Sequence, residues 1–206
     1  MKKHLQAYGY YCITLSAEGP APLMRSNSER AFIIAQLQYF LSPRLILGEI
    51  PAYRQLASCI DLLAFSIKTN AVHLLIFSID PTVSRYFTRC LTDQLSQYQT
   101  EVNPAFSHTY TVRSSIEKLA GAHEALAQSL AIHLLHEDWE YDRYSSIGFY
   151  LHDRRGDWMR TWRLARLYNN ECELYRNLIH SHLYRTTVTP TAPSADAQYL
   201  AQEAHG

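Results

Sequence analysis

Residues 59–79 constrain the fold more than any other part of the chain. Leu62-Leu63-Ala64-Phe65-Ser66-Ile67 and Val72-His73-Leu74-Leu75-Ile76-Phe77 are apolar and β-prone, and Lys68-Thr69-Asn70 forms a polar break between them. Two such runs around a short break predict a β-hairpin over 59–67 and 70–79. Residues two apart in a strand share a face, so positions 71 and 73 project together. A histidine at both would chelate a divalent metal on the sheet surface. Here the pair is Ala71 and His73, and a lone strand histidine is more often structural than a ligand.

The rest of the first 140 residues alternates element types around that hairpin. Tyr10-Tyr11-Cys12-Ile13-Thr14-Leu15 reads as a first strand ending at a Gly19-Pro20 turn. Ser28-Glu29-Arg30 is expected to cap a helix through Ile34, Leu37, Phe40 and Leu41, stopped by Pro43. Asp80-Pro81-Thr82 opens a second helix with Val83, Phe87, Leu91 and Leu95 on one stripe. Tyr110-Thr111-Val112 is a short strand candidate, and Ala120 to Leu135 a third helix. The order βαββαβα predicts an α+β fold: a ferredoxin-like antiparallel sheet with its helices on one face, followed by a C-terminal helical extension.

Charge narrows the class of partner. The 206 residues carry 19 Lys+Arg and 19 Asp+Glu, and no net charge apart from ten histidines. A strong nonspecific nucleic-acid binder, which works by neutralising phosphates, usually carries an excess of cations. Four scattered cysteines (Cys12, Cys59, Cys90, Cys172) form no CxxC pair and read as thiols of a reducing compartment. The start of the chain lacks the apolar core of a signal peptide, and no run approaches the roughly 20 apolar residues of a membrane span. A cytoplasmic protein without membrane contact is the expectation.

Composition changes near residue 140, giving an expected division into a domain over 1–140, a basic and aromatic helical extension over 141–185, and a disordered Thr/Pro/Ala-rich tail over 186–206. The extension holds Arg143, Arg154, Arg155, Arg160, Arg163, Arg166, Arg176 and Arg185 together with Trp158, Trp162 and six tyrosines, and a helix is expected over 158–168. Arginine interleaved with aromatics suits phosphate contact and base stacking. The same pattern equally fits a solvated helix face with tryptophans in the core.

Taken in order, these segments resemble the REP-associated tyrosine transposases, single-tyrosine members of the HUH superfamily (IS200-like transposase domains). Tyr11-Cys12-Ile13-Thr14 stands where that family has Y-H-V-T, and residues 64–75 are similar to A-Y-x-x-M-P-N-H-V-H-L-L. Arg113-Ser114-Ser115-Ile116-Glu117 is similar to R-Y-x-S-x-I-E, Ala131-Ile132-His133-Leu134 to Y-I-H-L-N-P, and Tyr144-Ser145-Ser146-Ile147 with Tyr150-Leu151 to W-S-S-Y-x-x-Y-L. Residues 158–175 resemble the family's C-terminal helical segment. The resemblance runs from about residue 8 to residue 183.

What the resemblance implies is a catalytic set that this chain has lost. In the family, two histidines and a polar residue one turn after the tyrosine bind Mg²⁺ or Mn²⁺, and the tyrosine attacks the scissile phosphate. Here Ala71 stands for the first histidine, Ala131 for the tyrosine and Leu135 for the third ligand; His73 remains as a vestigial ligand. Cys12 stands where the family has a first-strand histidine. The implied protein is a catalytically degenerate binder of hairpin or structured single-stranded DNA or RNA, with a regulatory role and no cofactor. Its contacts would come from Arg113, Arg143, Arg154, Arg155, Arg160, Arg163 and Arg166, with stacking from the exposed members of Trp158, Trp162 and Tyr150. A homodimer stays open, because some family members dimerise and others act as monomers.

Two alternatives belong to other classes. An active strand-transfer enzyme would need a relocated nucleophile, Tyr141 or Tyr144, and a Mg²⁺ or Mn²⁺ site rebuilt from His73, His133 and His136, the last two sharing a helix face. A protein-interaction module that has lost nucleic acid would fit the zero net charge and the acidic cluster Glu137-Asp138 with Glu140, which repels a phosphate backbone.

Overall fold

The strand at the centre of the molecule is β1 (Gly9–Ala17), which is paired on both sides. A computed structural model describes residues 8–18, 22–43, 56–102 and 111–188. The Gly19-Pro20 turn, Tyr110, the side chain of Arg185 and the tail from 189 onward lie outside the described residues.

The elements follow the expected order: β1, α1 (Asn27–Leu41), β2 (Ile60–Ile67), β3 (Ala71–Ser78), α2 (Pro81–Val102), β4 (Val112–Lys118) and α3 (Ala122–His133). The sheet order is β2-β3-β1-β4 with every pair antiparallel, which is the ferredoxin-like, split β-α-β arrangement. Helix α1 starts two residues earlier than expected. Ser26, not Ser28, is its N-cap: Glu29 N donates to Ser26 Oγ (3.2 Å) and Ser26 N donates to Glu29 Oε2 (3.1 Å). This reciprocal capping box satisfies two orphan donors of the first turn.

One face of the sheet is apolar throughout. Ile13 and Leu15 of β1, Val72, Leu74 and Ile76 of β3, and Ile60, Leu62, Phe65 and Ile67 of β2 meet Ile33, Leu37 and Phe40 of α1 and Phe87, Leu91 and Leu95 of α2. Strict alternation would have split the β2 set between two faces. The register slips between Leu62 and Ala64, and this β-bulge returns Phe65 and Ile67 to the face of Ile60 and Leu62.

α1 and α2 share this face, as expected, whereas α3 lies on the opposite one. There Ala125 and Ile132 pack on Tyr10, Cys12, Leu63, Ala64 and Leu75. The reason is space. Two helices about 10 Å apart cover four strands spaced about 4.8 Å, so a third helix has to bury its stripe elsewhere.

The extension is part of the same body. Its backbone closes the outer edge of β2: Ile67 N donates to Tyr144 O, Ser146 N to Phe65 O and Arg160 N to Leu62 O, each at 2.9 Å. Three short pieces follow one another, α4 (Gly148–Leu151), α5 (Trp162–Ala165) and α6 (Cys172–Val188). The single helix expected over 158–168 is instead a loop, the one-turn α5 and a 3₁₀ turn at Arg166–Tyr168. α6 runs past residue 186, where the tail was expected to begin, and sandwiches α3 against the sheet through Tyr175 and Ile179. Among the described residues no helix is long and apolar enough to cross a membrane.

Candidate functional site

The α3-facing side of the sheet carries a polar strip. Strand register places Ser66, His73, Thr14 and Ser115 side by side across β2, β3, β1 and β4, with Ala71 opposite Ser16 one step along. His73 is half-buried, and its Nδ1 lies 3.4 Å from Thr14 Oγ1. Burial, and secondarily the nearby Lys68 ammonium, lower its pKa below the usual imidazole value.

α3 lies over this strip. Gln128 Nε2 donates to Cys12 Sγ on β1 (3.4 Å), and Ala131 follows three residues on, on the same side of the helix. Beyond the helix end the carbonyl of Leu135 accepts a hydrogen bond from Lys68 Nζ. The four positions that the resemblance assigns to catalysis therefore share one sheet–helix interface. Their side chains are two alanines, a leucine and one imidazole.

These residues do not fit the divalent ion that the resemblance implies. Ala71, Ala131 and Leu135 have no side-chain lone pair, and the ammonium of Lys68 beside His73 repels a second cation. Among the described residues no group of three or more His, Cys, Asp or Glu is arranged to hold a metal.

The rebuilt ligand set of His73, His133 and His136 fails at His133. That ring is fully buried, with Nδ1 2.8 Å from the Tyr175 hydroxyl and Nε2 2.7 Å from Ser146 Oγ. Tyr175 OH also meets Ser129 Oγ at 2.6 Å, and Ser146 Oγ accepts from Phe65 N at 2.8 Å. With both nitrogens occupied, His133 ties α3 to α6, β2 and the extension, and burial pulls its pKa down to about 3, so the ring is neutral. Of the two candidate nucleophiles, Tyr144 is buried with its hydroxyl on Asn27 O (3.5 Å), and Tyr141 is exposed and stacked on His152.

The expected phosphate contacts are mostly neutralised within the chain. Arg163 and Arg160 both face Asp61 of β2, Arg155 pairs with Asp153, and Arg113 pairs with Glu18. Arg154 donates to the carbonyls of Arg143 and Ser145 and lies over the Phe149 ring, where burial lowers its pKa. Among the described residues, Arg143, Arg154 and Arg166 are the members of the set without an ion pair, and of these Arg143 and Arg166 are exposed.

The aromatic residues divide in the same way. Tyr150 is buried, stacked on Tyr175 and hydrogen-bonded to Leu63 O (2.6 Å); Trp158 is buried against Phe65 and Phe149. Neither can stack on a base. Trp162 is 52% exposed, with the Arg163 guanidinium over its ring and Arg166 four residues on.

Two features had weak or no signal in the sequence. Asp61 lies about a hundred residues from the arginines it neutralises, so nothing local announces it. The other is a cleft of about 1050 Å³ at the C-terminal end of α3, lined by Glu137, Asp138, Glu140 and Asp142 together with Lys68, Arg143, His136 and His180. Asp142 pairs with His136 at 3.2 Å and Glu140 with Arg176; Glu137 and Asp138 are exposed. The acidic run had been legible, but not that it lines a cleft.

No family model matches the chain, and no curated protein matches it significantly.

Proposed function

We propose that this protein is a non-catalytic nucleic-acid binder, derived from a single-tyrosine transposase and directed to a hairpin or structured single strand of DNA or RNA. The observation that carries the reading is the strip itself: a sheet-and-helix frame whose four catalytic positions offer no nucleophile and no ligand set. The contacts assigned to binding are the exposed ones, Trp162 for stacking and Arg143 and Arg166 for phosphates. With so few unpaired cations, binding is modest and weakly salt-dependent. About two or three neutralised phosphates correspond to a slope of log K against log salt of roughly −1.4 to −2 on a single strand.

Fluorescence-anisotropy titration of DNA and RNA hairpins, with and without Mn²⁺, followed by a denaturing gel, tests this. The expected result is metal-independent binding without a covalent adduct, weakened about tenfold by Trp162→Ala, given the roughly 1–3 kcal/mol of one base–aromatic stack. Failure to bind any hairpin at low salt overturns the reading, and an adduct replaces it with an active enzyme. The acidic cleft favours a second reading, a protein-interaction module without nucleic-acid affinity, because its carboxylates repel phosphate. A stable protein complex on pull-down, with no hairpin binding, would select it.

A further inference from the structure

The loss of the catalytic set leaves the cleft at the C-terminal end of α3 without a role, yet its floor holds two buried polar atoms that lack hydrogen bonds. His136 Nε2 and Asp142 Oδ2 lie 3.2 Å apart, on side chains 21% and 10% exposed. They are not aligned to bond to each other, and among the described residues neither has another hydrogen-bond partner. Asp142 is fixed from behind: its Oδ1 accepts from Tyr144 N at 2.9 Å and its carbonyl from Ser145 N at 3.2 Å. Buried polar atoms left unbonded are uncommon, and each calls for an explanation.

We infer that this cleft binds a neutral polyhydroxylated ligand, a saccharide, with one hydroxyl seated between His136 and Asp142. The inference is independent of whether the protein binds nucleic acid. Three observations lead to it.

The first is the chemistry of the two atoms. Burial lowers the His136 pKa, against the pull of Asp142 and with Lys68 and Arg30 adding to the lowering, so the ring is neutral. A carboxylate only accepts, and in the Nε2–H tautomer the ring donates. A hydroxyl satisfies both atoms at once, because it donates one hydrogen bond and accepts another. An ammonium only donates and a phosphate only accepts. The other tautomer would make both atoms acceptors and call for a cation, which the charges of Lys68 and Arg30 beside His136 repel.

The second is charge. Both signs line the cleft: Glu137, Asp138 and Asp142 against Lys68 and Arg143, while Glu140 is taken up by Arg176. An anion meets the carboxylates there, and a cation meets Lys68 and Arg143. An uncharged ligand with many hydroxyls donates to the first group and accepts from the second, so the site discriminates against either sign of charge.

The third is the pair of rings beside these groups. Tyr141 and Trp139 line the same cleft. Tyr141 is 78% exposed although one face stacks on the His152 ring, at 5.5 Å and 18°. An aromatic face next to hydrogen-bonding groups matches a sugar ring, whose C–H face is apolar and whose rim carries hydroxyls. The volume of about 1050 Å³ lies at the upper end of small-molecule sites.

The test is isothermal titration calorimetry of the full chain with neutral mono- and disaccharides of glucose, galactose, mannose and N-acetylglucosamine. At least one is expected to bind saturably and to be displaced by neither inorganic phosphate nor methylammonium. Asp142→Asn keeps an acceptor for Tyr144 N but sets an amide donor against the ligand hydroxyl, and should weaken binding about tenfold. Tyr141→Ala removes the exposed ring and should weaken it about fivefold. Circular dichroism should be unchanged in both. Absence of binding to every member of the panel overturns the inference. So does binding that survives both substitutions, or that phosphate or methylammonium displaces. If Asp142→Asn fails to fold, Tyr141→Ala alone decides. Hairpin titrations are read separately, so failure here leaves the nucleic-acid reading to its own test.

Discussion

The two faces of the sheet are held by different physics. Toward α1 and α2 the contacts are apolar side chains interdigitating: Ile13, Leu74 and Ile76 against Leu37, Phe87 and Leu91. Toward α3 the strip of Ser66, His73 and Thr14 is polar, and behind α3 the chain Ser129–Tyr175–His133–Ser146 is buried and hydrogen-bonded end to end. The first face is stabilised by removing area from water, which is non-directional and indifferent to pH. The second adds, to the apolar packing of Ala125 and Ile132 on Leu63, Ala64 and Leu75, directional partners and one imidazole that stays neutral. The polar side is therefore the one that pH and single-atom changes reach, and it is also where the candidate site lies.

The largest effect is expected on the apolar face. Phe87→Ala removes a fully buried ring that meets Phe40 edge-on at 6.2 Å, and should cost about 3–5 kcal/mol in denaturant unfolding. A loss under about 1 kcal/mol would mean that the face is loosely packed.

His133→Ala should cost nearly as much, about 3 kcal/mol, because it leaves a void and strips partners from Tyr175 and Ser146. His133→Gln, which keeps polar atoms in that space, should recover part of it. Equal losses in the two variants would show that volume, not hydrogen bonding, holds this side.

Acid comes next. His133 has its pKa lowered to about 3 in the folded state, against roughly 6.5 unfolded. Between those values the unfolded chain binds the extra proton. Stability is then fully present above pH ~6.5 and declines as pH falls toward 3, by up to about 1.4 kcal/mol per unit. The lowered values of His73 and His136 act with the same sign. Thermal melts from pH 7 to 4 should show this decline, and it should flatten in His133→Gln. An unchanged slope would assign the acid sensitivity to the other two histidines.

The smallest effect concerns the one buried carboxylate on the apolar side. Glu29 is 2% exposed and accepts from the backbone of Ser26 and Arg25 at the start of α1. Glu29→Ala should cost about 1 kcal/mol, the usual size of a lost helix cap.

How much of this could be read from the chain depended on whether the cause was local. The hairpin came from two apolar runs, and it spans the expected residues within one or two positions. α2 started at Pro81 because proline suits a first helical position, and α1 stopped before Pro43. The capping box Ser26-Asn27-Ser28-Glu29 was present in the sequence, and reading Ser28 as the cap overlooked its spacing. The strand expected over Tyr110–Val112 meets β4 only at Val112, because an exposed edge strand has no buried face to impose alternation. In the basic and aromatic extension, local pattern left open which aromatics face solvent and which fill the core. Trp158 and Tyr150 fill the core, and Asp61 neutralises two of the arginines.

The sequence by itself determined the order of elements, the hairpin and the absence of nucleophile and ligand at positions 71, 131 and 135. Those follow from local periodicity and residue identity, which need no partner in space. Only the tertiary structure decided which face α3 would occupy, which aromatics would be buried, which arginines would meet a carboxylate and which sheet edge residues 144–160 would close. Each of these depends on contacts between residues far apart in the chain, which no local pattern encodes.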